Sequence, residues 1–256
     1  MAARSSGNRN EYDQWLATLR EFRGEVLSHR GYGVRAELDY NLGSALSAFG
    51  RNLTELERLA AGVPADSGDA QRSYFFKKDA LSVEMREKID RTLSNTLSSG
   101  QRVLEIAKAC IHRLYTPKSA TRQTLDEKLE VFRGLDVCAA FQEVRNTNDH
   151  AGYASWGQGS SNTLNGDGTI ERIFQVPLAA KKPVLNLKFD AYTQYSETRD
   201  DNDLVSMLKE FGQGLVQLVE DLTDETLCTE RAAMDEFESM RANLKKHERS
   251  RPNNET

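Results

Sequence analysis

Residues 80–115 read ALSVEMREKIDRTLSNTLSSGQRVLEIAKACIHRLY, and this stretch decides the fold. Its apolar residues Leu81, Ile89, Leu93, Leu97, Val103, Leu104, Ala107, Cys110, Ile111 and Leu114 return mainly at three- and four-residue intervals. That is the period of a helix with one face turned to a core, whereas a half-buried strand alternates every second residue. Pro117 follows and closes the run, because proline cannot extend a helix beyond its first turn.

The same period extends on both sides. Towards the N-terminus, Trp15, Leu16, Leu19, Phe22 and Val26 mark a helix from about Glu11, and Gly31 and Gly33 suggest a turn. A second helix is expected over 34–61, carrying Leu38, Ala45, Leu46, Phe49, Leu53, Leu56 and Leu59, and Gly62-Val63-Pro64 ends it. Towards the C-terminus, a helix from about Thr121 carries Leu125, Leu129, Phe132, Leu135, Cys138, Phe141 and Val144. Two further helices are expected at 202–222 and 225–246. Between them, 151–169 is rich in Gly, Ser and Asn and reads as a long loop. The runs 170–178 and 184–192 are partly alternating and read as a β-hairpin. The expectation is a mostly α protein, a helical bundle with a small β-hairpin insertion, forming one domain over 1–256. The insertion spans about 151–192, and the polar ends, about 1–9 and 248–256, are expected to be disordered.

Composition narrows the function classes. The chain has 256 residues, 38% hydrophobic and 29% charged, with a net charge of -5. Its pI is about 5.6. A protein that wraps nucleic acid continuously is usually basic, so any nucleic-acid contact here must be local. Cys110, Cys138 and Cys228 are far apart and odd in number, which argues against a disulfide framework. With four histidines at no ligand spacing, no zinc site and no cofactor is expected. The start lacks an apolar leader, and no stretch approaches a membrane span, so the cytoplasm is the expected location. Gly157-Gln158-Gly159 lacks the Lys-Ser/Thr of a phosphate loop, and Asp200, Asp201 and Asp203 read as a helix N-terminus.

The helix from Thr121 ends in FQEVRNTNDHAG, residues 141–152. Arg145 is followed at once by Asn146, then three residues, then His150. A looser spacing of Arg and His recurs at Arg23–His29 and Arg241–His247, but there no Asn follows the Arg. RNA cleavage without metal needs a base near neutral pH for the 2′-hydroxyl, and histidine supplies one. It also needs a cation for the charge that builds on the phosphate, and the planar fork of arginine fits phosphate oxygens. Asn146 and His150 are four apart and share a helical face, while Arg145 lies about 140° round from His150 at about 100° per residue. Tyr153 and Trp156 follow closely and could stack a base, or simply pack the loop.

The Arg145-Asn146-(three residues)-His150 pattern, after an apolar helix in a chain of long helices, resembles the HEPN superfamily. The resemblance implies a metal-independent endoribonuclease acting on RNA in a toxin–antitoxin or defence setting. It implies that Arg145 binds phosphate, His150 transfers a proton and Asn146 orients the group. It also implies a homodimer in which two motifs meet, with an antitoxin as a possible partner. The alternative is a non-catalytic helical-bundle module for dimerisation or protein interaction. In that reading Arg145 and His150 are a cation pair favoured by the helix C-terminus alone.

Overall fold

A computed structural model describes residues 3–61, 76–77, 80–81, 83–151, 161–164, 170–173, 190–199 and 203–251, with side chains described over 11–61, 83–148, 190–199 and 203–251. Helix α1 (Ala3–Ser28) leads into α2 (Arg30–Arg35), a π-helical stretch (Ala36–Gly43) and α3 (Ser44–Ala60). Strands β1 (Phe76–Lys77) and β2 (Ala80–Leu81) pair antiparallel. Then come α4 (Val83–Leu114), α5 (Ala120–Arg133) and α6 (Asp136–Ala151). Strands β3 (Ser161–Leu164) and β4 (Ile170–Ile173) precede α7 (Asp190–Glu197), α8 (Leu204–Thr229) and α9 (Arg231–Arg249).

The protein is mostly helical, as the periodicity predicts. The long helix α4 is the axis of the bundle. It packs against α3, the π stretch, α5, α6 and α8. Ile89, Leu93, Leu97, Val103, Leu104 and Ala107 of α4 are buried in one cluster with Phe49, Leu56, Phe141, Phe211 and Leu215. Full burial of a side chain of this size is worth roughly 1.5–3 kcal/mol, so this seam dominates the stability of the fold. A smaller layer forms where α1 and α9 meet α2, around Leu19, Val26 and Phe237.

The π stretch turns Leu38 and Leu42 into the core, continuing the face on which Val34 of α2 is buried.

Several expectations are corrected. Residues 3–9, expected to be loose, continue α1, because extending a formed helix is far easier than starting one. The expected turn at Gly31 and Gly33 is helical, and the break falls at His29, whose Nδ1 accepts from the Gly31 N–H at 3.1 Å. Gly31 is needed for close approach instead: a Cβ there would lie 2.5 Å from Phe237 Cβ and 2.7 Å from the Ala233 carbonyl oxygen. The helix expected from Thr121 is two helices, parted at Gly134 and Leu135, where the Leu135 N–H closes a tight turn on Phe132 O at 3.1 Å. The helix expected to end near 222 runs on to Thr229, and the final helix runs to Arg249. Residues 252–256 lie outside the described part.

The hairpin expected from pairing 170–178 with 184–192 is not seen among the described residues. Ile170–Ile173 pairs instead with Ser161–Leu164, in the register Ser161 to Ile173 and Leu164 to Ile170. Asp190–Glu197 is helical, with Tyr192 and Tyr195 buried three positions apart, a helical spacing rather than a strand spacing. Residues 174–189 lie outside the described part.

Candidate active site at the end of helix α6

The sequence segment that carries the motif is the C-terminal part of α6. Three neighbours fix this helix. Phe141 stacks on Phe211 of α8 with ring centroids 3.8 Å apart. Gln142 Nε2 donates to Gln101 Oε1 of α4 at 2.5 Å. The Glu143 carboxylate accepts the backbone N–H of Tyr192 at 2.7 Å. That N–H lies in the first turn of α7, where amides have no intrahelical partner, so Glu143 acts as a cap supplied by another helix. Its negative charge also suits the positive end of the α7 dipole.

One turn further on, the motif residues take distinct environments. Arg145 is half-buried and Asn146 is exposed. Thr147 is only 4% exposed and faces the core. Asn148 Nδ2 donates to Ser94 Oγ of α4 at 3.3 Å, tying the last turns of α6 to the bundle axis. The backbone of His150 belongs to the last turn of α6, one turn beyond Asn146; its side chain lies outside the described part, as do Tyr153 and Trp156. The described arrangement therefore offers an anchored helix end with a guanidinium and a carboxamide on adjacent positions.

The two looser Arg–His spacings have structural explanations. His247 Nε2 lies 3.2 Å from Trp15 O, while Trp15 Nε1 donates to His247 O at 3.0 Å. The two rings stack, and Phe22 meets His247 edge-on. His29 caps α2, stacks on Phe237 and lies 3.4 Å from Glu236. His112 lies 3.8 Å from Asp126. These three rings join helices to one another.

Cys110 and Cys138 are buried, as their place in apolar runs predicts, and Cys228 is exposed. Burial, and then the neighbouring Glu37 carboxylate, push the Cys110 thiol up to about 12. Burial does the same to Cys138. Cys110 Sγ donates to Glu37 Oε2 at 3.2 Å, and Arg113 bridges both Glu37 oxygens at 3.2 and 3.1 Å. Burial alone would raise the Glu37 carboxyl, but hydrogen bonds from Asn41, Cys110 and Arg113 outweigh it and hold the group below its ordinary value. The cluster clamps the π stretch to α4. Among the described residues no group of three or more His, Cys, Asp or Glu is set to hold a metal ion.

Sequence reasoning missed Glu143 and Ser94 as supports of the motif helix. It also missed a cleft of mixed lining between the π stretch, α3 and α4, bordered by Tyr40, Asn52, Asn95, Ser99, Arg102 and Ile106 among others. A signal for it was present, since Asn95, Ser99 and Arg102 return at helical spacing within α4, opposite its apolar stripe.

Against known proteins, no family model, no curated protein and no solved structure matches the chain.

Proposed function

We infer that this chain is a metal-independent endoribonuclease of the HEPN type, with Arg145, Asn146 and His150 at its centre. The observation that carries the reading is the state of the motif: one uninterrupted helical segment at the anchored end of α6, with Asn146 exposed and Arg145 only half-buried. A helix locked by Phe141, Gln142, Glu143 and Asn148 holds its last turns in a fixed position, which phosphoryl chemistry requires.

In the proposed reaction His150 takes the proton from a ribose 2′-hydroxyl. The 2′-oxygen attacks the adjacent phosphorus, the bond to the 5′-oxygen breaks, and the leaving 5′-oxygen takes a proton from water, giving a 2′,3′-cyclic phosphate and a 5′-hydroxyl; His150 then returns the proton it took to solvent. The Arg145 guanidinium neutralises the charge that grows on the phosphate oxygens. Asn146 orients the phosphate or the base. Tyr153 and Trp156 are proposed to stack a neighbouring nucleobase. Helical geometry separates positions 145 and 150 by about 140°. A homodimer that brings two motifs together would complete the site, and an antitoxin-like partner would cover it. The proposed setting is the cytoplasm, in a toxin–antitoxin or defence role. No helix among the described residues is long and apolar enough to cross a membrane.

The test is incubation of the purified protein with total RNA in EDTA, beside His150→Ala. Cleavage that survives EDTA and vanishes in the variant supports the reading; cleavage equal in both overturns it.

A second reading, a non-catalytic module that dimerises or docks a protein, draws on one feature. A groove of about 450 Å³ between α5 and α8 is lined by Phe132, Leu218 and the exposed Val131 (65%) and Leu135 (45%). Single exposed apolar residues are ordinary, but a groove lined by several marks an interaction surface more often. A purified protein that associates in light scattering and cuts no RNA would favour this reading.

A further inference from the structure

The cleft between the π stretch, α3 and α4 is a cavity of about 530 Å³, within the size range of small-ligand sites. Its lining combines three kinds of chemistry. Asn52, Asn95, Ser98 and Ser99 supply amides and hydroxyls on its walls. Arg102 is exposed, lines the cleft, and has no ion-pair partner among the described residues. Tyr40 stands at the cleft with 67% of its surface exposed, an unusual position for an aromatic ring of the bundle. Arg102 is the charged side chain among the described lining residues, and no carboxylate lines the cleft directly.

The cleft is built rather than accidental. Asn52 Nδ2 donates to Ser99 Oγ at 3.0 Å and to Asn95 O at 3.3 Å, pinning α3 to α4 beside it. Tyr40 and Asn41 come from the π stretch, whose wide turns bury Leu38 and Leu42 and leave Tyr40 outside. π-helical turns are rare and concentrate at functional sites. The cleft also adjoins the motif. Ser94 of α4 accepts from Asn148 of the motif helix, and the next residue, Asn95, lines the cleft. Successive helical residues diverge by about 100°, so the two sites occupy neighbouring faces of one helix.

Resting on the nuclease reading, we propose that this cleft binds a nucleotide of single-stranded RNA on one side of the cleaved bond. Tyr40 stacks on the base, Arg102 meets a phosphate, and the Asn and Ser side chains take sugar and base edges. An exposed ring beside a lone cation suits a single strand, because every base has a face to stack and every linkage a charge.

The test uses wild-type protein and a fluorescein-labelled 2′-O-methyl RNA decamer, which cannot be cut, followed by fluorescence anisotropy. Tyr40→Ala should weaken binding at least about five-fold, in line with the loss of one base stack, while Tyr40→Phe keeps it. Arg102→Ala should weaken binding and reduce the slope of log K against log salt by about 0.7, the value for one phosphate on a single strand. Arg231→Ala, an exposed charge on α9, should leave affinity and slope unchanged. Equal binding by wild type, Tyr40→Ala and Arg102→Ala, or no binding by wild type, overturns the proposal. The two readings fail separately. Cleavage lost in His150→Ala, with binding indifferent to Tyr40 and Arg102, removes the cleft alone. Binding that depends on Tyr40 and Arg102, with no cleavage by any protein, keeps the cleft and removes the nuclease.

Discussion

The rings of Phe141 on α6 and Phe211 on α8 lie face to face, their centroids 3.8 Å apart and their planes 4° from parallel. Phe141 is one helical turn before Arg145, so this stack fixes where the motif can sit. Gly100 of α4 lies against the pair: a Cβ added there would come 2.9 Å from Phe141 Cζ and 3.0 Å from Phe211 Cε1. Two stacked rings buried on all sides have no room to yield. Gly100→Ala should therefore destabilise the protein, although alanine favours the helix by about 1 kcal/mol. Overpacking costs typically about 1–3 kcal/mol and wins. Thermal unfolding followed by circular dichroism should show a lower Tm, and a raised Tm would mean that the rings move aside easily.

His247 is predicted to matter for stability and not for cleavage. Its ring and backbone make reciprocal contacts with Trp15, and these join α9 to α1. His247→Ala removes one hydrogen bond and a ring stack, a loss of about 1 kcal/mol or somewhat more. The expected result is a lower urea midpoint with RNA cleavage per folded molecule unchanged. A cleavage defect in a fully folded His247→Ala protein would contradict this assignment.

The three cysteines should separate cleanly by reactivity. Only a thiolate attacks, and Cys110 and Cys138 are buried with thiols pushed up to about 12. At pH 8 a disulfide reagent should titrate one fast thiol per chain, the exposed Cys228, and the others only in denaturant. The same shifts make stability depend on pH. The folded state keeps protons that an unfolded chain releases from about pH 8.5. The stabilisation is thus complete below about pH 8.5 and is lost as pH rises towards 12. Urea midpoints that stay level from pH 8 to pH 11 would refute this.

The long helices were legible because burial imposes period on them: Leu93, Leu97, Leu104, Ile111 of α4 and Leu204, Leu208, Leu215, Leu222 of α8 announce their faces. The break at Gly134 was not, since Phe132, Leu135 and Cys138 keep the helical spacing across it. Gly31 looked like a turn residue, because sequence alone cannot distinguish a glycine that bends the chain from one that admits Phe237. Tyr192 looked like the end of a strand, because the carboxylate that caps its helix, Glu143, lies on another element. The candidate site was legible as a pattern of residue types at Arg145, Asn146 and His150. Its supports were not, because Ser94 and Phe211 lie on other helices and meet α6 only once the chain has folded.

His150→Ala should abolish RNA cleavage while leaving the fold intact. His150 occupies the last turn of α6, past the buried anchors Phe141 and Val144 and past Asn148, which donates to Ser94. A general base contributes typically about 10²–10⁴-fold to rate, far beyond what a small loss of folded protein could produce. Arg145→Ala should cost a comparable factor, since the growing phosphate charge loses its cation. Asn146→Ala should cost less, because an exposed orienting group leaves both proton transfer and charge stabilisation in place. His29→Ala should lose stability at the α2 cap but keep its rate per folded molecule. The measurement is single-turnover cleavage of a defined RNA in EDTA, with unfolding midpoints taken for each variant. If His150→Ala and His29→Ala, both folded, cut at the same rate, the Arg-Asn-His spacing is incidental. The interaction-module reading then stands in its place.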